Sequence, residues 1–188
     1  KPFACGIVLH PVIDGCIELR NEHQLLPGMI ERIDVRSNPL ALDLAGKKSP
    51  MTGLEGKLSV YHAAAVALNF GKAGVREFTD DCVNDPDVIA LRQRVVTHAD
   101  ATVGAIEAHV GITLKDGRRI EKHVLNAIGT LERPMTDADL EAKFMALAEA
   151  SHSQRQARDV VELAWRLDTL SDAAQLVRAT ARERVAAA

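Results

Sequence analysis

Groups able to do acid–base or nucleophilic work are few in this chain of 188 residues: one tyrosine, Tyr61, three cysteines, Cys5, Cys16 and Cys82, and seven histidines. The cysteines are odd in number and form no C-x-x-C pair. They therefore read as buried free thiols, not as a disulfide framework or a zinc or iron–sulfur cage. His62, His98, His109, His123 and His152 lie apart without paired ligand spacing and read as surface or packing residues, so no metal site is expected. His10 precedes Pro11 at a helix start, where backbone can satisfy it. Tyr61 falls in an Ala-rich helix, where the ordinary arrangement is a core ring with its hydroxyl on backbone. Taken alone, Lys1 is a solvated terminal cation, and Arg118 with Arg119 forms a solvated hairpin tip. There is no P-loop and no G-x-G-x-x-G turn.

The elements that would position these groups follow from periodicity and punctuation. Pro11 in a first turn and apolar residues at Ile13, Cys16, Ile17 and Leu19 predict a helix of about three turns from His10, closed by Pro27-Gly28. Alternation of Ile33 and Val35 with Arg32, Asp34 and Arg36 predicts a half-buried strand over 30–36. A short helix or irregular turn is expected at 39–45, a short helix at 86–91, a closely packed small-sided helix at 59–70 ending on Gly71, and a strand at 94–98. The clearest β signal is an antiparallel hairpin, 106–114 and 118–126, turning at Asp116-Gly117, in a sheet covered by the 59–70 helix. Thr136 and Asp139 resemble a capping box that opens amphipathic helices over 137–150, 153–167 and 171–184, with a frayed end at 186–188. Strands up to Asn126 and helices after it make the fold α+β: an antiparallel sheet with helices on one face, followed by C-terminal helices.

Composition removes several function classes. A hydrophobic content of 47% supports a real core. With 23 Lys plus Arg against 26 Asp plus Glu, there is no positive surplus for a phosphodiester backbone. Aromatics at 3% give no stacking platform, so nucleic acid is not an expected partner. No window approaches the roughly 18 apolar residues of a membrane span, and the start has no signal-peptide pattern, so a cytoplasmic protein is expected. The chain opens without Met on the dense segment Lys1-Pro2-Phe3-Ala4-Cys5, which predicts that further sequence precedes it or that a separate chain supplies the missing part.

Five blocks in order resemble the MmgE/PrpD family. They are the opening Lys1-Pro2-Phe3-Ala4-Cys5 through His10-Pro11, Thr52-Gly53 through Lys57, Ser59 and Tyr61 to Ala64, Asp85-Pro86-Asp87-Val88, Leu114-Lys115-Asp116-Gly117-Arg118, and Arg133-Pro134 through Lys143-Phe144. Ala4 departs from the family's usual proline. The run from Gly6 to Cys16 is similar to the epimerase branch of the family.

The resemblance implies a two-domain enzyme in which this chain supplies the smaller α+β lid, residues 1–133, and a helical segment, 134–188, that packs on a separate helical domain. That domain, in the same enzyme or in a partner chain, would be the partner, and a homo-oligomer is expected. Loss of it would expose an apolar stripe at Val160, Val161, Ala164 and Leu167. The implied activity is a cofactor-independent lyase or isomerase acting on small di- or tricarboxylates by proton abstraction, like 2-methylcitrate dehydratase. Cis-aconitate decarboxylase-like and iminodisuccinate epimerase-like reactions, or a non-catalytic lid module, are the alternatives. The resemblance assigns Lys1 to catalysis and substrate binding, His10 to substrate binding and Tyr61 to proton transfer, with no cofactor and no metal.

Overall fold

A computed structural model describes residues 1–181, which fall into two compact units, Lys1–Pro134 and a second that begins at Met135. In the first unit α1, His10–Glu22, carries Pro11 in its first turn, where the missing N–H costs nothing. It leads to β1, Ile30–Ser37, and α2, Pro39–Ala45, whose N-cap Asn38 accepts from the Leu40 N–H at 3.0 Å. After the single turn α3, Gly53–Gly56, comes α4, Val60–Phe70. The Ser59 hydroxyl accepts from the His62 N–H at its start, and Gly71, at φ 68°, closes it in the left-handed conformation that glycine adopts without strain. The turn α5, Asp80–Val83, and α6, Pro86–Arg92, precede β2, Val95–Ala99, β3, Ala108–Leu114, and β4, Arg119–Val124.

The strands form one sheet in the order β2-β1-β3-β4. β3 is antiparallel to both β1 and β4, but β2 runs parallel to β1, so the sheet is mixed. The physical reason is the connection: α2 to α6 stand between β1 and β2, and only a crossover of that length can return the chain in the same direction. The hairpin has the register implied by segments 106–114 and 118–126. Its loop is three residues, Lys115, Asp116 and Gly117, with Gly117 at φ 85° and the Leu114 N–H donating to Arg118 O at 2.8 Å.

One sheet face is apolar. Ile33, Val35, Val110, Ile112 and Leu114 are buried there, each contributing roughly 1.5–3 kcal/mol of burial free energy. The 59–70 helix covers only part of the sheet: α4 reaches it at β2 and lies between α1 and α6, while α1 packs on β3 and β4. Gly15 makes this possible, because a Cβ there would sit 3.0 Å from Val110 Cγ2 and 3.2 Å from Val124 Cγ2. Buried Asp14 on α1 accepts from the Ile128 N–H at 2.8 Å and from Arg133 at 2.7 Å, tying the helix to the segment after the hairpin. The small-sided character of α4 serves its position, since Ala63, Ala64, Ala65 and Ala67 are all fully buried.

The second unit contains α7, Asp137–Ala148, α8, Gln154–Trp165, and α9, Ala174–Ala179, with α8 packed against both others. The capping box is present: the Asp139 N–H donates to the Thr136 hydroxyl and the Thr136 N–H to the Asp139 carboxylate. The stripe expected on α8 is only partly exposed. Val160 is buried inside the unit and Val161 half-buried, whereas Ala164 and Leu167 are exposed. The reason is that α7 and α9 already cover one side of α8. Residues 182–184 of the expected last helix, and the end expected to fray, lie outside the described residues. No helix among the described residues is long and apolar enough to cross a membrane.

Candidate functional site

The opening segment runs along the first unit, with the Ala4 N–H donating to Ala73 O at 3.2 Å and the Gly6 N–H to Lys57 O at 3.0 Å. Lys1 is exposed, and its charge, with that of Lys57, acts on the Cys5 thiol. Burial outweighs both lysines and pushes that thiol up to about 12, so Cys5 stays protonated and inert at neutral pH. Burial likewise raises Cys16, and it pushes Cys82 up to about 11, leaving no thiolate among the three cysteines. His10 opens α1 and is buried, with its ring edge-on to Phe3 at a centroid distance of 5.3 Å. The aromatic and the histidine of the opening motif are thus brought together.

Tyr61 stands in the first turn of α4, 6% exposed. Its hydroxyl meets the Thr97 hydroxyl of β2 at 2.9 Å, a side-chain partner instead of the backbone one that a core tyrosine ordinarily takes. Lys48 holds its ammonium 5.9 Å from the ring centroid, a cation–π arrangement that also sets a positive charge beside the phenol. One residue along, His62 is fully buried and donates from Nε2 to Glu77 O at 2.8 Å, which fixes the tautomer. Burial holds it below the ordinary imidazole value, so it is neutral at pH 7.

A second concentration of charge occupies the uncovered face of the sheet, around a cleft of about 720 Å³ lined by none of Lys1, His10 and Tyr61. Its centre is Asp34, which accepts from Arg32 at 2.7 Å, His98 at 2.9 Å and Arg119 at 3.1 Å. Burial opposes its charge, but these donors prevail and hold its carboxyl at about 2. Arg119 is therefore not merely a solvated hairpin tip. It crosses the sheet over Gly111, where a Cβ would lie 2.7 Å from its guanidinium, whereas Arg118 pairs with Asp116 at the exposed turn. At the other end of this face His109 and His123 stack at 4.0 Å, and His123 donates to Glu107 at 2.6 Å.

These are the groups that the linear sequence did not bring forward. Lys57 stands within a block that carries the family resemblance, yet its position beside Cys5 needs the folded path of the N-terminus. Lys48 gave no signal. The His109–His123 pair was implicit in the hairpin register, since positions equidistant from Asp116 face each other.

Residues 3–168 match the MmgE/PrpD C-terminal domain. The chain belongs to the MmgE/PrpD family. It is similar to the cis-aconitate decarboxylase of Mus musculus, 26% identical over 188 residues, which are 95% of this chain and 38% of that protein. The Homo sapiens cis-aconitate decarboxylase is 25% identical over 185 residues, 94% of this chain and 38% of its own length. That of Aspergillus terreus is 23% identical over 192 residues, 94% and 39%. The chain thus spans about two fifths of the length of these relatives.

Proposed function

We propose that the protein carrying this chain is a lyase that acts on a small di- or tricarboxylate by moving a proton at the carbon next to a carboxylate, delivered there as carbon dioxide leaves, without a redox or nucleotide cofactor. The observation that carries this reading is the family match over residues 3–168, joined to relatives named as cis-aconitate decarboxylases along nearly the whole chain. These relatives favour loss of carbon dioxide over loss of water or epimerisation as the reaction. The α+β unit acts as the smaller, covering domain, and a helical domain, in the same polypeptide or in a partner, supplies the remaining acid–base groups.

In this reading Lys1 and Lys57 offset the charge of the substrate carboxylates, and His10, held edge-on by Phe3, borders the bound substrate. The Tyr61 hydroxyl moves the proton. Exchange of its hydrogen bond from Thr97 to the substrate frees the phenol to donate, and the neighbouring Lys48 ammonium stabilises charge developing on its oxygen.

The test is to supply the intact protein with carboxyl-labelled cis-aconitate, 2-methylcitrate and iminodisuccinate separately, and to follow products by NMR. Release of labelled carbon dioxide from cis-aconitate is the expected result. Hydration or dehydration without carbon dioxide release would move the assignment to the dehydratase branch, and inertness toward every acid in the presence of the helical domain would refute it.

A further inference from the structure

Glu107, His109 and His123 lie outside the groups assigned to polycarboxylate chemistry, and the geometry points to them as a binding site for a divalent transition-metal ion, with Zn²⁺ the best fit. Each residue offers one ligand atom, and the three atoms all lie within 4.8 Å of one another. The set is two imidazole nitrogens and a carboxylate oxygen, which suits zinc and its neighbours in the first transition row better than magnesium or calcium. Tetrahedral ligands at about 2.0–2.2 Å from a zinc ion stand roughly 3.3–3.5 Å apart. Here Glu107 Oε1 is 2.6 Å from His123 Nε2 and 3.9 Å from His109 Nε2, so the present spacings bracket the required one. The rings stack within 7° of parallel, so one imidazole must turn out of the stack for both lone pairs to meet at one ion.

The hairpin pairing and a turn contact fix the backbone that carries the site. His109 on β3 and His123 on β4 are direct cross-strand partners, and their rings are stacked within 7° of parallel. Glu107, just before β3, is oriented through its second oxygen, which accepts from the Gly104 N–H at 2.8 Å. That bond leaves Oε1 turned toward both imidazoles, the kind of outer support that metal-ligating carboxylates have. Arg36 faces His109 across the β1–β3 pair, and its guanidinium is engaged by Asp100 at 2.8 Å. The site opens onto the uncovered sheet face, with His109 and His123 both lining the cleft, so an ion can enter and keep water at its fourth position.

An ion there would staple the open end of the hairpin to the turn before it, raising the stability of the first unit by mass action. The experiment is calorimetric titration of the metal-free intact protein with ZnCl₂, run beside MgCl₂, for the wild type and for His109→Asn, His123→Asn, Glu107→Gln and His152→Asn. A hydrogen-exchange readout on residues 104–126 accompanies it. The inference predicts one saturable zinc site, affinity weakened at least tenfold in each of the first three variants and unchanged in His152→Asn, and zinc-dependent protection confined to the hairpin. No saturable zinc binding, or binding of wild-type strength in the His109→Asn/His123→Asn double variant, would overturn it.

Discussion

Tyr61 and Lys1 show how far residue type and order reach toward a function. Alone, each has an ordinary structural explanation. The family resemblance implies work for them, and the fold adds what no linear reading supplies: a phenol bonded to Thr97 under the Lys48 ammonium, and Lys1 acting with Lys57 on the Cys5 thiol. On the proposed roles, Tyr61→Phe in the intact protein should lower kcat by about 100-fold or more with little change in KM, since it deletes the oxygen proposed to move the proton and keeps the ring. Lys1→Met should instead raise KM and lower kcat/KM by roughly tenfold to a hundredfold, because it removes a charged contact to the substrate. Steady-state kinetics on both variants distinguishes the roles, and near-normal parameters for both would refute them. Asp34 gives a prediction away from the chemistry. Its folded-state value of about 2 lies below that of an unfolded aspartate, so its stabilisation is present above the unfolded value and is lost as pH falls toward 2. Asp34→Asn should therefore cost about 1 kcal/mol at pH 7, after allowance for solvent on this open face, and little near pH 2. Urea denaturation at the two pH values measures the difference.

At the scale of elements, local chemistry was legible and long-range pairing was not. The His10 start of α1, the Ser59 and Gly71 boundaries of α4, the Asp85-Pro86 start of α6 and the Thr136 capping box each depend on interactions within a few residues, and each stands where its residues predict. The parallel β1–β2 pair joins segments more than fifty residues apart, and nothing in either strand's alternation states the direction of its neighbour. That α1, and not α4 alone, covers the sheet is hidden for a related reason: period and composition identify an apolar face but not which face it meets. The informative residue was Gly15, an apparent helix weakener whose missing side chain lets α1 approach Val110 and Val124. Gly15→Ala gains helix propensity yet must push α1 off the hairpin, so a net loss of about 1–3 kcal/mol is expected in chemical denaturation. A stabilised variant would show that the α1–sheet spacing is not set by this contact.

For the whole molecule, the family and the α+β architecture define a chain whose own groups offer cations, a phenol and a buried neutral histidine but no thiolate among the three cysteines. The proposed function has this set bind a polycarboxylate and pass a proton, with a helical domain completing the site; the chain itself spans about two fifths of the length of its relatives. The central claim is that this unit takes part in moving a proton adjacent to a carboxylate. The most direct measurement is deuterium exchange in D₂O, followed by NMR at the carbon next to the carboxylate of a bound polycarboxylate or its product, for the intact wild-type protein and for Tyr61→Phe under identical loading. The account predicts enzyme-dependent deuterium incorporation that slows by about 100-fold or more in Tyr61→Phe. Incorporation at the same rate in both proteins, or none in the wild type with any of the three acids, would contradict it.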